Sequence, residues 1–183
     1  MTNIPLKEKM LSWKYGTKKE SKSLEERILS ANKSFMTNNF LIKKSTFNEI
    51  KLDERIVKYG HEDTLFGFEL KKRGITIEHI QNPVLNGDIE NNIEFLKKTK
   101  NGIINLIYIL KYLKNDKDFI NDVTILKFHN KIISSKLYGL IYMCFILNKP
   151  LLKFLFSIGI VNLRLFNFYK LGLLMQNYKR CLT

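Results

Sequence analysis

Apolar residues at helical spacing dominate the middle of the chain. Within Glu62–Arg73 they recur every three to four positions, and Gly74 follows as a candidate C-cap. The same spacing over Ile93–Leu113 predicts one long amphipathic helix. Nearer the N-terminus, Ser23 and Glu26 form a capping-box pattern, which predicts a short exposed helix.

Two further segments have the pattern of strands. Ser34–Ile42 contains apolar residues flanked by loop residues, which is typical of a buried strand. Ile75 and Ile77 alternate with polar residues, which predicts a second strand that ends near Asn82-Pro83. Asn86-Gly87 marks a turn before the long helix.

The tail after Val123 combines apolar, aromatic-rich segments with regularly placed Lys and Arg. Its longest uncharged stretch is Leu137–Asn148, and Lys149-Pro150 interrupts the pattern directly afterwards. A membrane-spanning helix needs about 20 apolar residues, so this stretch is too short to span. The pattern favours a helix that lies in the membrane interface. The alternative is a helical core segment whose lysines are simply solvated.

Charge sharpens the interpretation of the tail. The chain has 183 residues and a net charge of +14. Residues 1–90 carry 16 basic and 13 acidic side chains, whereas residues 91–183 carry 15 basic and 4 acidic side chains. No acidic residue follows Asp122. A basic tail favours an anionic partner. Because the basic residues alternate with Leu, Ile and Phe instead of forming a polar stripe, we expect an anionic membrane surface and no nucleic acid.

Composition excludes several classes of protein. With 45% hydrophobic and 12% aromatic residues, the chain has enough apolar side chains for a packed core and is not a disordered polyelectrolyte. Cys144 and Cys181 lie far apart, which argues against a disulfide scaffold or a cysteine zinc site. No Gly-rich phosphate loop occurs, so self-contained nucleotide binding of the familiar kinds is excluded. No HExxH motif occurs either, which argues against a self-contained zinc site. Met1–Met10 lacks the apolar segment of a signal peptide.

One short motif carries candidate chemistry. Gly60 is followed by His61, Glu62 and Asp63 at the start of the predicted helix. The helix dipole and the free backbone N–H groups stabilise an ionised carboxylate at this position. Such an aspartate can accept the proton of an attacking hydroxyl group. The structural alternative is that Asp63 only caps the helix while Glu62 lies in solvent.

A series of ordered blocks surrounds this motif. The blocks are Phe35-Met36-Thr37-Asn38-Asn39-Phe40, Ile42-Lys43-Lys44-Ser45-Thr46-Phe47, Leu52-Asp53-Glu54-Arg55, Tyr59–Gly67, Leu70–Ile75, Asn82-Pro83-Val84 and Glu90–Thr99. From Ser34 to about Lys114 the chain resembles the C-terminal half of the catalytic domain of family 2 glycosyltransferases, the inverting GT-A type. The resemblance is closest to the galactosyltransferase C-terminal region and to bacterial polysaccharide-synthesis transferases.

The resemblance implies an α/β fold, namely the acceptor-side half of a GT-A domain followed by a mostly helical tail. It implies transfer of a sugar from a nucleotide-sugar donor to the hydroxyl group of a glycan acceptor, in surface polysaccharide or glycolipid synthesis. Asp63 would be the general base and Glu62 would position the acceptor. Asn38 and Asn39 would line the donor-sugar pocket.

Three further residues are candidates for contact with substrate. Gly60 and His61 belong to the motif, and His61 could hydrogen-bond the acceptor or a metal-bound phosphate. Trp13 could stack on a sugar or uracil ring, although such a residue more often packs in a core. His79 and His129 are expected to be structural.

Two departures from the family pattern concern the donor and the metal. The resemblance implies a divalent metal, Mg²⁺ or Mn²⁺, and a nucleotide-binding half with a DxD motif. Only 33 residues precede Ser34, and Asp116-Lys117-Asp118 matches the letters but follows the long helix. Asn86 stands where relatives carry a histidine, and it is a poor ligand for a divalent ion. We therefore expect the metal ligands to be missing from this chain and a partner chain to supply the donor-binding half.

The sequence thus predicts three regions. Residues 1–33 form a charged helical linker segment, residues 34–114 the acceptor-side region, and residues 115–183 a basic amphipathic helical tail. We expect a cytoplasmic location, peripheral to the inner face of the cell membrane. Two functions remain open: a truncated or split glycosyltransferase, or a non-catalytic, membrane-associated glycan-binding module without the donor-binding half.

Overall fold

The computed structural model describes residues 4–50, 60–84, 87 and 89–182, and these residues form helices joined by loops. The α-helices, in chain order, are α1 (Met10–Tyr15), α2 (Leu24–Leu29), α3 (Lys44–Ile50), α4 (Glu62–Lys72), α5 (Asn92–Tyr112), α6 (Lys117–Asp122), α7 (Thr124–Ile132), α8 (Leu137–Ser157) and α9 (Leu163–Leu182). Short 3₁₀ turns lie at Lys7–Lys9 and Asn32–Ser34, and a π-helical turn spans Gly16–Glu20.

The expected α/β fold is wrong, because the described residues contain no strand and the fold is all-helical. In place of the first strand, Ser34 ends a 3₁₀ turn and the chain continues as loop to α3. In place of the second strand, Ile75–Ile80 is loop. Side chains, not a backbone ladder, bring the two segments together, since Phe35 packs in the same apolar cluster as Ile75 and Ile77.

Other predicted features are confirmed. Ser23 and Glu26 form a complete capping box at the start of α2. The helix α4 ends at Lys72 with Arg73 as its C-cap, and Gly74 follows with a φ of +69°. The Gly74 N–H donates to the Lys71 carbonyl oxygen and the Ile75 N–H to that of Leu70. The long amphipathic helix is α5. The blocks at residues 52–55 and Tyr59, and the turn residue Asn86, lie outside the described residues.

The core is built around α5. Ile103, Leu106, Ile107 and Leu110 lie on its buried face, where residues of α1, α4, α8 and α9 pack against them. A smaller cluster of Phe35, Phe66 and Leu70 joins α4 to the loops before α3 and after Gly74. The helix α4 therefore lies between two apolar clusters, with Leu65 and Phe68 directed to the larger one.

The side chain of Asn92 ties three parts of the chain together. Its Oδ1 accepts the Leu11 N–H at 2.9 Å, and its Nδ2 donates to the carbonyl oxygens of Lys7 at 2.8 Å and Ser157 at 3.2 Å. Only 1% of the residue is exposed. Both N–H donors and the oxygen of the amide are thus used to join the N-terminal segment and the end of α8 to the start of α5.

The tail packs against the rest of the molecule through α8 and α9. Phe145, Phe156, Phe166 and Tyr169 belong to the same core cluster as α5. The helix α8 continues through Lys149-Pro150, beyond the uncharged stretch Leu137–Asn148, and Leu152 and Phe156 hold its second half against that core. Within the described residues, α8 is the one helix long and apolar enough to cross a membrane by length and composition alone.

We predict that Asn92→Ala destabilises the fold by about 3 kcal/mol, because it leaves a buried N–H and two carbonyl oxygens without their partner. Urea denaturation followed by circular dichroism measures the change. The control is Asn130→Ala, which removes an exposed amide from α7 and should alter stability by about 0.5 kcal/mol or less. Equal stability of the two variants would show that the Asn92 hydrogen bonds contribute little.

Candidate functional site

A cavity of about 690 Å³, lined by both polar and apolar groups, opens beside the start of α4. Gly60, His61, Glu62, Asp63 and Thr64 form one side of it. Other parts of its lining come from distant segments of the chain, and include Tyr15, Glu20, Ser34–Asn38, Phe95, Lys98, Phe166 and Lys170. The cavity therefore combines carboxylates, amines and aromatic rings, the mixture of groups that binds a polar small molecule.

A tight turn directs the motif into this cavity. Gly60 and His61 both have positive φ, +108° and +71°, and His61 occupies the N-cap position of α4. A Cβ on residue 60 would lie 3.0 Å from the Cα of Gly102 in α5, so the turn approaches that helix more closely than a side chain permits. One turn further along α5, the Asn105 amide donates to the Gly60 carbonyl oxygen at 3.2 Å.

Glu62 and Asp63 are the first two residues of α4, so Asp63 is not the N-cap. Glu62 accepts the Gly60 N–H at 2.8 Å through Oε2 and is half-buried, which differs from a residue lying in solvent. Asp63 accepts the Thr64 N–H at 2.7 Å through Oδ1. Both carboxylates are therefore anchored by backbone N–H groups on the wall of the cavity.

Burial shifts the titration of two of these groups in opposite directions. Burial raises the pKa of the Asp63 carboxyl. The hydrogen bond from the Thr64 N–H lowers this pKa and the charge of Glu62 raises it, and the net pKa is raised. Burial, with a contribution from the charge of Lys170, lowers the pKa of His61 to about 4. At neutral pH the site therefore holds a neutral imidazole and an aspartate that is more basic than an exposed one.

Lys170 brings positive charge from α9 to this group. Its Nζ donates to the Tyr15 hydroxyl at 2.7 Å and lies 4.8 Å from the centre of the Tyr15 ring. Glu20 lies at the rim, where partial burial raises its pKa, the charge of Lys170 lowers it, and the charge of Asp63 raises it further. Lys170 thus acts electrostatically on both His61 and Glu20.

The structure brings most of the predicted site residues together. Asn38 lines the cavity with Gly60, His61, Glu62 and Asp63. The two others do not line it. Asn39 donates to the Asn82 carbonyl oxygen at 3.0 Å, and Trp13 is half-buried in α1, where its indole N–H has no partner among the described residues.

Sequence reasoning missed the contributions of Glu20, Phe95, Lys98, Phe166 and Lys170 to the lining. Glu20 belongs to a charged run, and Lys170 belongs to the regular basic pattern of the tail. Neither pattern distinguishes a cavity residue from a solvated one. The separation of 155 residues between Tyr15 and Lys170 shows that tertiary packing alone creates this part of the site.

The described residues do not fit the divalent metal that the family resemblance implies. In the described part of the chain, no group of three His, Cys, Asp or Glu side chains could hold a metal ion. Asp116 caps α6 and pairs with Lys72 at 3.1 Å, and Asp118 contacts the same amine at 3.4 Å. We therefore assign no chemical step of this chain to a metal.

No protein-family model matches the chain, no curated protein matches it, and no solved structure matches its fold.

We predict that Asp63→Asn raises the free energy of unfolding at pH 7. The variant keeps an oxygen that can accept the Thr64 N–H but removes a charge that burial makes costly. Urea denaturation measures the effect.

The matched control for that variant is Asp122→Asn. Burial raises the pKa of Asp122, but hydrogen bonds and charges from Lys71 and Lys33 outweigh it, so the net pKa is lowered. We expect this second substitution to destabilise the fold by about 1 kcal/mol. A loss of stability in both variants would contradict the assignment of Asp63 as a costly buried charge.

We also predict that His61 makes the fold less stable in mild acid. The unfolded chain takes up a proton near the usual pKa of 6.5, whereas folded His61 does so only at about 4. Stability contributed by the neutral imidazole is therefore lost as the pH falls from about 6.5 to 4. His61→Asn, which tolerates positive φ, should show a shallower loss in urea denaturation over this range. Identical pH profiles for the two proteins would exclude this role of His61.

Proposed function

We propose that this chain provides the acceptor side of a sugar-transfer reaction, with Asp63 as the general base. The observation that carries the proposal is the position of Asp63, anchored through the Thr64 N–H on the wall of a cavity of about 690 Å³. The resemblance of residues 34–114 to family 2 glycosyltransferases supplies the class of reaction.

The lining suits a sugar acceptor. Glu62, Asn38 and Thr37 supply hydrogen-bonding groups for hydroxyls, and the rings of Tyr15 and Phe95 supply flat apolar surface. The two rings pack together, with centres 5.5 Å apart, so they form a continuous wall. A site that combines fixed polar groups with rigid aromatic rings can orient one hydroxyl of a sugar towards Asp63.

Electrostatics favour proton transfer to Asp63. Its pKa is raised by burial, which makes the carboxylate a stronger base at neutral pH than an exposed aspartate. The hydrogen bonds from Thr64 all go to Oδ1 of Asp63, so Oδ2 accepts none from Thr64. The neutral state of His61 places no positive charge next to the carboxylate.

In the proposed reaction, Asp63 accepts the proton of the acceptor hydroxyl as that oxygen attacks the anomeric carbon of a nucleotide-sugar. The new bond joins the acceptor oxygen to the anomeric carbon. The bond that breaks joins the anomeric carbon to the diphosphate, which leaves with its electron pair, and the configuration at carbon inverts. Glu62 positions the acceptor. A partner chain binds the donor.

We predict that the purified chain binds simple sugars. Saturation-transfer NMR with a set of methyl hexosides and N-acetylhexosaminides should show magnetisation transfer from the wild-type chain to the sugar. Glu62→Gln should weaken sugar binding about tenfold, because a charge-assisted hydrogen bond is lost. Glu69→Gln is the control, since Glu69 lies on the same helix and pairs with Arg73 at 2.5 Å. Absence of saturation transfer in the wild type would overturn the proposal.

The role of Asp63 is tested separately in an assembly with a donor-binding chain, using UDP-galactose and a bound methyl glycoside. Asp63→Asn should reduce transfer by about a thousandfold while leaving saturation transfer to the glycoside unchanged. Asp118→Asn, an exposed substitution of the same kind, should have no effect. Sugar binding with equal transfer by wild type and Asp63→Asn would instead indicate a glycan-binding module in which Asp63 is not a base.

A further inference from the structure

The outward face of α8 is a continuous apolar stripe. Six large apolar side chains, each between 44% and 73% exposed, recur at intervals of three and four residues along it. They are Leu140, Met143, Leu147, Leu151, Phe154 and, at the C-cap, Ile158. At 100° per residue they fall on one side of the helix. A row of this length on one exposed face is typical of a contact surface rather than of isolated surface residues.

The opposite face of α8 is also apolar and is already used. Phe145, Leu152 and Phe156 are buried against α5 and α9. The Lys149 side chain lies on this inner side, where it donates to the Gln176 Oε1 at 2.8 Å. An ordinary surface helix directs its charges outward and its leucines inward. The helix α8 departs from this arrangement because its outward face is apolar as well as its inward face.

Positive charge borders the stripe. Lys136 lies at the N-cap of α8, Lys153 lies near its C-terminal end, and both are exposed. No acidic residue follows Asp122 in the sequence. The stripe is therefore an apolar surface in a wholly basic part of the chain, the combination found in helices that bind anionic membranes.

We propose that the outer stripe of α8 docks on the surface of an anionic lipid bilayer, with the helix parallel to the membrane plane. The leucine, methionine and phenylalanine side chains enter the boundary between headgroups and acyl chains. Lys136 and Lys153 pair with anionic headgroups. This surface lies on a different helix from the cavity residues, so the inference stands independently of the proposed transfer reaction.

Charge and packing distinguish the bilayer from two other ways of covering the stripe. A second copy of the chain would bring an equally basic, acid-free tail against this one, and like charges would oppose the contact. Insertion of α8 across the bilayer would carry its inner face, with Lys149, into lipid and would separate Phe145, Leu152 and Phe156 from the core. A parallel orientation keeps that packing intact.

The test is flotation with vesicles of one part phosphatidylglycerol and two parts phosphatidylcholine. The wild-type chain should float with these vesicles, less so with pure phosphatidylcholine, and less at high salt. The double variant Leu147→Gln, Leu151→Gln should weaken binding at least about tenfold. The matched control is Leu29→Gln, Leu41→Gln, which removes two exposed leucines that are 87% and 100% exposed outside the tail and should leave binding unchanged.

The charge contribution is tested with Lys136→Gln, Lys153→Gln, which should weaken binding to the anionic vesicles by about fivefold for each lysine. Lys97→Gln, Lys100→Gln, two exposed positions on α5, should have no effect. Circular dichroism confirms that each variant is folded.

Four results would overturn the proposal. Two concern flotation: equal binding with and without phosphatidylglycerol, and an equal loss of binding in the stripe variant and its control. The third is that alkaline carbonate does not release the bound chain, which indicates a spanning helix. The fourth is a dimer of the wild-type chain in sedimentation equilibrium that becomes monomeric in the stripe variant.

Discussion

The buried amide of Asn92 is the constraint on which the other contacts depend. It holds the N-terminal segment through Lys7 and Leu11 and the end of α8 through Ser157, all against the first turn of α5. Because α1 follows directly, the same bonds fix the position of Tyr15 on the cavity wall. A residue that formed hydrogen bonds only within its own helix would not position these other segments. The geometry of the site is therefore coupled to a polar contact at which three distant segments meet.

The cavity unites a local motif with distant supports. Gly60–Thr64 provides the carboxylates through a turn that Gly102 and Asn105 hold against α5. Lys170 supplies positive charge from α9 and contributes to the lowered pKa of His61. The basic tail is thus part of the electrostatics of the site, although its charge pattern alone suggested only an external partner. The lysines of the tail lie in two different environments, since Lys170 lines the cavity and Lys153 is exposed to solvent.

Local signals predicted helices well and strands poorly, for a physical reason. Gly74 and the capping box of α2 act within a few residues, so the sequence is sufficient to find them. The alternation at Ile75–Glu78 is real, because the isoleucines are half-buried and Thr76 and Glu78 are exposed. Alternation of apolar and polar residues indicates which side chains are buried, but a β-strand also needs the backbone of a neighbouring strand as its hydrogen-bonding partner. In the candidate site, the motif and the family resemblance predicted Asp63, which lines the cavity, whereas the position of Lys170 depends on tertiary packing.

The packing of α8 connects the apolar stripe with the cavity through one helix. Phe145 and Phe156 on its inner face contact Tyr169 at ring separations of 6.0 and 5.8 Å, and Lys170 follows Tyr169 directly. Aromatic contacts of this kind transmit displacement because close-packed interiors resist compression. These ring contacts join α8 to the helix that carries Lys170, whose amine hydrogen-bonds Tyr15 on the cavity wall. The same rigid packing makes it costly for α8 to leave the core, which favours contact along its outer face over insertion.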